Sequence, residues 1–210
     1  RLRQLPGVTG VTFSSVGIME GDEWDSTVTV EGYQAKDGEN MGPHCNSVSP
    51  GFFSTLGIPL LAGRDFDARE EIYGKKDRTP EENYTKVIIN ERFAKRYFEG
   101  RDPIGRHLGF GGNPGTKTPI EIIGVVGDAK YEGLREEIPR TLYFPYLETQ
   151  WGGGVNFYVR AEKDSASVFQ GVRSIAAQLA ADVPVHNLRT MDAQLDRILV
   201  LERMVAGLSI

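Results

Sequence analysis

Val48-Ser49-Pro50-Gly51-Phe52-Phe53-Ser54-Thr55-Leu56-Gly57-Ile58-Pro59-Leu60-Leu61-Ala62-Gly63-Arg64-Asp65-Phe66 is the stretch whose reading decides the fold. Pro50 suits the first turn of a helix, where its missing N–H costs nothing. Phe52, Phe53 and Leu56 then fall at helical spacing on one face. Gly57 can take the left-handed conformation that closes a helix, and Pro59 blocks continuation. Ile58 to Leu61 reads as a buried strand ended by Ala62-Gly63. The unit is a strand end, a short helix and a second strand, with nothing in it poised for chemistry.

Working outward toward the N-terminus, Cys45 to Ser49 feeds the motif as a strand. Ser26 to Gln34 is β-rich and follows an exposed acidic loop, Glu20 to Asp25. Val8 to Ser15 alternates as a strand with Val11 and Phe13 on one face. Arg1 to Leu5 is the tail of a helix stopped by Pro6-Gly7. Toward the C-terminus, Asp67 to Thr85 is dense in charge and reads as an exposed loop. Lys86 to Ile89 is a strand, and Asn90 caps a helix over Glu91 to Phe98. Phe93, Ala94 and Tyr97 form the buried side of that helix. His107 to Phe110 and Ile120 to Val126 pair back across the reversal Gly111-Gly112-Asn113-Pro114-Gly115. Arg140 to Phe144 is a further strand, and Gln150 to Gly154 is the clearest linker. A strand (Val155 to Ala161), a helix (Ser165 to Ala181), a strand (Val185 to Leu188) and a final helix after Thr190 complete the chain.

The totals exclude several classes. The chain's 210 residues bury one sizeable core or two small ones. A net charge of −5 argues against a nucleic-acid partner. One cysteine, Cys45, rules out an intrachain disulfide and a cysteine-based zinc site, and reads as a buried thiol. No stretch reaches the ~18 apolar residues that span a bilayer. Leu195 to Ile210 is nevertheless a helix pattern that stops while still apolar, which reads as leading into a membrane span.

No catalytic, cofactor-binding or metal site emerges. Lys117-Thr118 follows Gly115, but Thr116 intervenes and a β-branched run follows, so the phosphate-loop pattern fails. His44, His107 and His186 lie far apart in separate elements, without metal-ligand spacing. Asp65, Asp67, Glu70 and Glu71 lack a calcium-loop spacing and read as a solvated acidic loop. No serine stands in a Gly-x-Ser-x-Gly elbow. Asp128, at a strand end, reads as a turn-capping residue. Asn83-Tyr84-Thr85 fits the glycosylation triplet, a pattern frequent by chance.

The scaffold motifs are therefore the evidence. The opening stretch is followed in order by Val87-Ile88-Ile89-Asn90-Glu91, Asp102-Pro103-Ile104-Gly105-Arg106, Ile122-Ile123-Gly124-Val125-Val126-Gly127-Asp128 and Tyr143-Phe144-Pro145. Together these resemble the MacB-type periplasmic core domain of ABC transporter permeases of the MacB/FtsX-like class, over nearly the whole chain. The resemblance implies an α+β fold. A discontinuous porter-like α/β subdomain would comprise 1–66 and 154–210, with a strand-rich sabre-like insertion over 67–153. It implies a domain facing the periplasm from the cell inner membrane, between two transmembrane helices. It implies no catalysis and no cofactor, and a role in passing ATP-driven helix motion outward. The implied partners are a cytoplasmic ABC ATPase subunit, a second permease in a dimer and, as in efflux members, a periplasmic adaptor protein. The isolated chain is expected to be monomeric. The alternative is a periplasmic module capturing a peptide, lipid or antibiotic, with Trp24, Trp151 and Tyr131 as exposed lining.

Overall fold

The computed structural model describes residues 1–69, 80–131, 133, 135–148, 154–162, 165–179 and 185–208. A turn of 3-10 helix, Leu2–Gln4, precedes β1 (Val8–Ser14), β2 (Val28–Val30) and β3 (His44–Val48). Next come α1 (Phe52–Leu56), β4 (Leu60–Gly63), α2 (Pro80–Asn83), β5 (Lys86–Asn90) and α3 (Glu91–Phe98). Then follow β6 (His107–Phe110), β7 (Ile120–Val126) and β8 (Thr141–Pro145). The chain closes with β9 (Asn156–Ala161), α4 (Ser165–Leu179) and α5 (Met191–Leu208).

The nine strands of the described residues join one mixed sheet in the order β2-β6-β7-β5-β8-β3-β1-β9, with β4 also on β7. β3–β8 and β5–β7 are parallel. One edge of β7 is shared, because β6 pairs at Ile120 and Glu121 while β4 pairs at Gly124 to Val126. Strands from 1–66 thus lie between and beside strands from 67–153.

Two apolar clusters cover the two faces of the sheet's inner part. Val87 and Ile89 of β5, with Leu142 and Phe144 of β8, face α3 and join Phe93 and Tyr97. Ile88 and Tyr143 point the other way and join Phe52 and Phe53 of α1. This alternation is the period-2 pattern of a sheet buried on both faces. In β7 the alternation flips after Ile123, where the pairing to β5 skips a residue, as a bulge requires.

Four expectations are corrected. Gly51, at φ 79°, is the residue before the first turn of α1, so Pro50 stands outside that helix. The segment read as a buried strand from Ile58 to Leu61 is instead an edge strand, Leu60–Gly63, exposed throughout. Among the described strands it pairs with β7 alone, at the sheet's edge, where its apolar side chains stay exposed. The strand read over Ser26 to Gln34 shortens to Val28–Val30, because the chain turns at Glu31-Gly32 and the Tyr33 N–H bonds back to Val30 O at 3.1 Å. Tyr33 then packs edge-on against Tyr97. Val185 to Leu188 carries no strand. The linker Gln150 to Gly154 and most of the charged loop lie outside the described residues. The end of that loop, however, forms α2, and Tyr84 is 2% exposed.

The capping expectations hold. Asn90 accepts the Phe93 N–H, and Asp128 accepts the Arg92 N–H at 2.9 Å, so both carboxamide and carboxylate serve the start of α3. Gly57, at φ 74°, closes α1 as expected. Cys45 is buried at 1% exposure.

Candidate functional site

Polar side chains that elsewhere sit on surfaces here fill a buried seam where β1 and β9 meet the rest of the sheet. β1 pairs β9 along six registered positions but meets β3 only at Ser14↔Val48. The backbone bonds flanking that position are Ser15 N–H to Ser47 O (2.8 Å) and Ser49 N–H to Phe13 O (3.0 Å). Side chains supply the rest. Thr12 and Ser49 share a hydroxyl hydrogen bond of 2.7 Å, and the Ser15 hydroxyl donates to Asn46 Oδ1 at 3.1 Å.

Residues 15–20, following β1, form the hub of this seam. The Asn46 carboxamide brackets Val16, accepting its N–H and donating to its C=O, each at 3.0 Å. Ile18 N–H donates to the Tyr158 phenol of β9 at 2.8 Å, and Met19 N–H donates to Tyr131 O at 2.8 Å. Met19 adopts φ 59°, an uncommon conformation for a residue with a side chain, held by this set of bonds. Asn46 also donates to the Tyr131 phenol. Burial pushes the Tyr131 and Tyr158 phenols above their ordinary range. Both stay neutral near neutral pH, so the hub's bonds do not change with protonation there.

The C-terminal helix docks on the same hub. Thr190 caps α5 by accepting the Ala193 N–H at 3.1 Å. Gln194, 6% exposed, donates to Met19 O, and Arg189 pairs with Glu20. Arg189 Nε and Gln194 Oε1 are buried without a partner among the described residues. Each such atom costs about 1–3 kcal/mol, so this dock is held less firmly than a satisfied ladder. At the N-terminal end, Leu5 lies against Gly171 of α4, where a Cβ would come within 2.7 Å of it. Arg3 donates to Val11 O at 3.2 Å. Both terminal segments are therefore tied to the β1–β9 ladder or to the hub beside it.

The residues weighed for chemistry do not converge. His44 opens β3, His107 opens β6 beside Glu31 at 3.2 Å, and His186 lies in an irregular segment. No group of three or more metal-ligating side chains forms among the described residues. Arg64, Asp65, Phe66, Asp67 and Ala68 line a shallow surface depression. Its carboxylates are occupied, since Asp65 accepts the Phe66 N–H and Asp67 holds Arg69. Two of the three aromatics expected as exposed pocket lining are structural. Trp24 packs among Tyr84, Phe110 and Phe144, and Tyr131 is 3% exposed. Trp151 lies outside the described residues. Asn83 is 8% exposed, so the glycosylation triplet is buried at its acceptor.

The hub residues Asn46, Tyr158, Glu20, Arg189 and Gln194 were not legible as a set. Serine, threonine and asparagine read alike in sequence whether buried in a seam or exposed on a strand. The nearest signal was the polar pair Asn46-Ser47 between Cys45 and Val48 in β3.

No curated protein matches the chain in sequence. Among solved structures it resembles the periplasmic region of MacB from Actinobacillus actinomycetemcomitans, with TM-score 0.57 and 17% identity, covering 85% of this chain and 70% of that one. The extracellular domain of the ABC-type transporter YknZ from Gram-positive bacteria gives TM-score 0.52 and 22% identity, covering 86% and 79%. A permease domain from Porphyromonas gingivalis gives TM-score 0.51 and 19% identity, covering 84% and 68%. These likenesses establish the fold. In sequence, residues 2–184 match the family described as MacB-like periplasmic core domain. With a mixed α/β sheet, helices docked at a polar seam and a family match over most of its length, the chain belongs to the MacB-like periplasmic core domains of ABC transporter permeases.

Proposed function

We propose that this domain transmits mechanical displacement. ATP-driven movement of membrane helices joined to its two ends would be passed to the periplasmic side, without catalysis by the domain itself. In this reading it projects from the inner membrane as part of a permease dimer. It works with a cytoplasmic ABC ATPase subunit and a periplasmic adaptor protein. No helix among the described residues is long and apolar enough to cross a membrane, so the spans themselves would lie outside this segment.

The observation that carries the reading is the dock of α5 on Met19 and Glu20. A helix held at a hub that also bonds β3, β9 and Tyr131 delivers any shift of its axis to several elements at once. The test is charge exchange at that dock in the full-length permease with its ATPase. Glu20→Arg or Arg189→Glu should lower transport while leaving ATP hydrolysis, and the double exchange should restore transport. Equal transport in all four forms would remove the dock from the coupling path.

A further inference from the structure

We infer that the seam between β1 and β3 is a built-in hinge, which rests on the transmission reading above. It divides the domain into an outer body of β1, β9, α4, α5 and the hub, and an inner body of β2 to β8 with α1 and α3. The boundary falls inside the first of the segments expected from sequence, between residues 20 and 28.

Three observations carry it. First, the sheet is continuous in order but not in pairing. β1 and β3 are staggered so that they overlap at Ser14↔Val48 alone, whereas β1 and β9 run together from Val8↔Ala161 to Ser14↔Asn156. Second, the apolar cores thin out at this line. Among the described residues neither cluster contains a buried residue of β1, β9, α4 or α5. From that side only Val16, with half-buried Ile18 and Tyr158, reaches the second cluster. Third, most of what crosses is small or hydrogen-bonded. Thr12 meets Ser49, Ser15 and Val16 meet Asn46, Met19 N–H meets Tyr131 O, Gly10 lies against Thr55 of α1, and Arg160 donates to Ser54 O at 3.2 Å. The aromatic contacts across it are edge-on pairs, Phe13 with Tyr146 and Phe52 with Tyr158, rather than an interdigitated core.

A hydroxyl pair can exchange donor and acceptor, and re-form after a small slide, without opening a cavity. An interdigitated apolar core cannot do so. Polar interfaces between bodies of one chain accordingly permit relative motion, and hinges sit at a few element-terminal residues. Ser14, Ser15, Ser47 and Ser49 occupy those terminal positions. The inner body, with its two clusters, is the rigid reference, and the outer body holds both ends of the chain. Displacement entering at α5 therefore rotates the outer body about the Ser14–Val48 overlap.

The test is made on the 210-residue chain alone, without nucleotide or membrane. Spin labels are placed in a Cys45→Ala background at exposed Lys95→Cys of α3 and Arg173→Cys of α4, one in each body. A control pair, Lys95→Cys with Glu121→Cys, lies wholly in the inner body. The expected result is a broad or two-peaked distance distribution across the seam and a single narrow one for the control. A cross-seam distribution as narrow as the control overturns the hinge. Hydrogen exchange on the unaltered chain gives a second reading free of substitutions. The Ser15 and Ser49 amides should exchange about tenfold or more faster than amides inside the β5–β7 ladder. Equal protection counts against the hinge. Because neither readout involves transport, a rigid seam leaves the transmission reading standing. A hinged seam, with no effect of the Glu20 and Arg189 exchanges on transport, sinks transmission alone.

Discussion

Asn90 holds four hydrogen bonds from one carboxamide. Its oxygen accepts from Phe93 N–H at 3.1 Å and Thr141 N–H at 2.9 Å. Its nitrogen donates to Asp128 Oδ1 and to Pro139 O, each at 2.9 Å. The side chain thus caps α3 and staples the approach to β8 in the same act. Asn90→Ala removes a cap and leaves buried backbone amides unpartnered, so a loss of about 2–4 kcal/mol is expected in urea denaturation. Asn90→Asp should not rescue it, because a carboxylate would face Asp128. Asp65 makes a second case at this scale. Burial raises its carboxyl above the ordinary range, against the opposing effect of the Phe66 and Gly51 N–H groups. The folded state then binds the proton more tightly than the unfolded chain does. Stability is therefore greatest below the unfolded value and falls as pH rises through the folded one. Asp65→Asn, which keeps an acceptor for those amides, should flatten that decline. Its stability relative to the parent should rise as pH increases above about 4. A parallel pair of curves would mean that the carboxyl is not strained by burial.

At the scale of elements, β4 crosses β7 at a close backbone approach. Gly63 has φ 71°, and a Cβ there would lie 2.2 Å from Ile123 O. That carbonyl is the one turned out at the β7 bulge, and it accepts the Arg64 N–H at 3.0 Å. Gly63→Ala combines a disfavoured backbone conformation with a backbone clash. It should cost more than about 2 kcal/mol, read as a lowered denaturation midpoint. The elements themselves were largely legible. Asn90, Glu91 to Phe98 and the β-branched run from Ile120 each carried a local signal strong enough to survive the tertiary context. What misread β4 was its composition, since apolar residues on an edge strand look the same as those in a covered one. Val185 to Leu188 failed for a different reason. Asn187 takes a left-handed φ of 54°, Arg189 and Gln194 anchor the chain just after the segment, and no described strand pairs with it.

At the scale of the molecule, the motif order identified the family because spacing between scaffold motifs is a property of the whole chain. The polar seam was not legible, because pairing stagger between β1 and β3 is set by the hub that follows β1, not by either strand. One consequence concerns Cys45, which sits at 1% exposure on β3 within the inner body's first apolar cluster. It is the chain's single sulfhydryl, so the protein carries its own chemical clock. An alkylating reagent should modify Cys45 only as often as the inner core opens, at a rate set by global unfolding. Movement about the Ser14–Val48 overlap should leave that rate unchanged, and urea should accelerate it in step with the loss of folded protein. Rapid alkylation of the native chain would place the inner body, rather than the seam, at the soft end of the molecule.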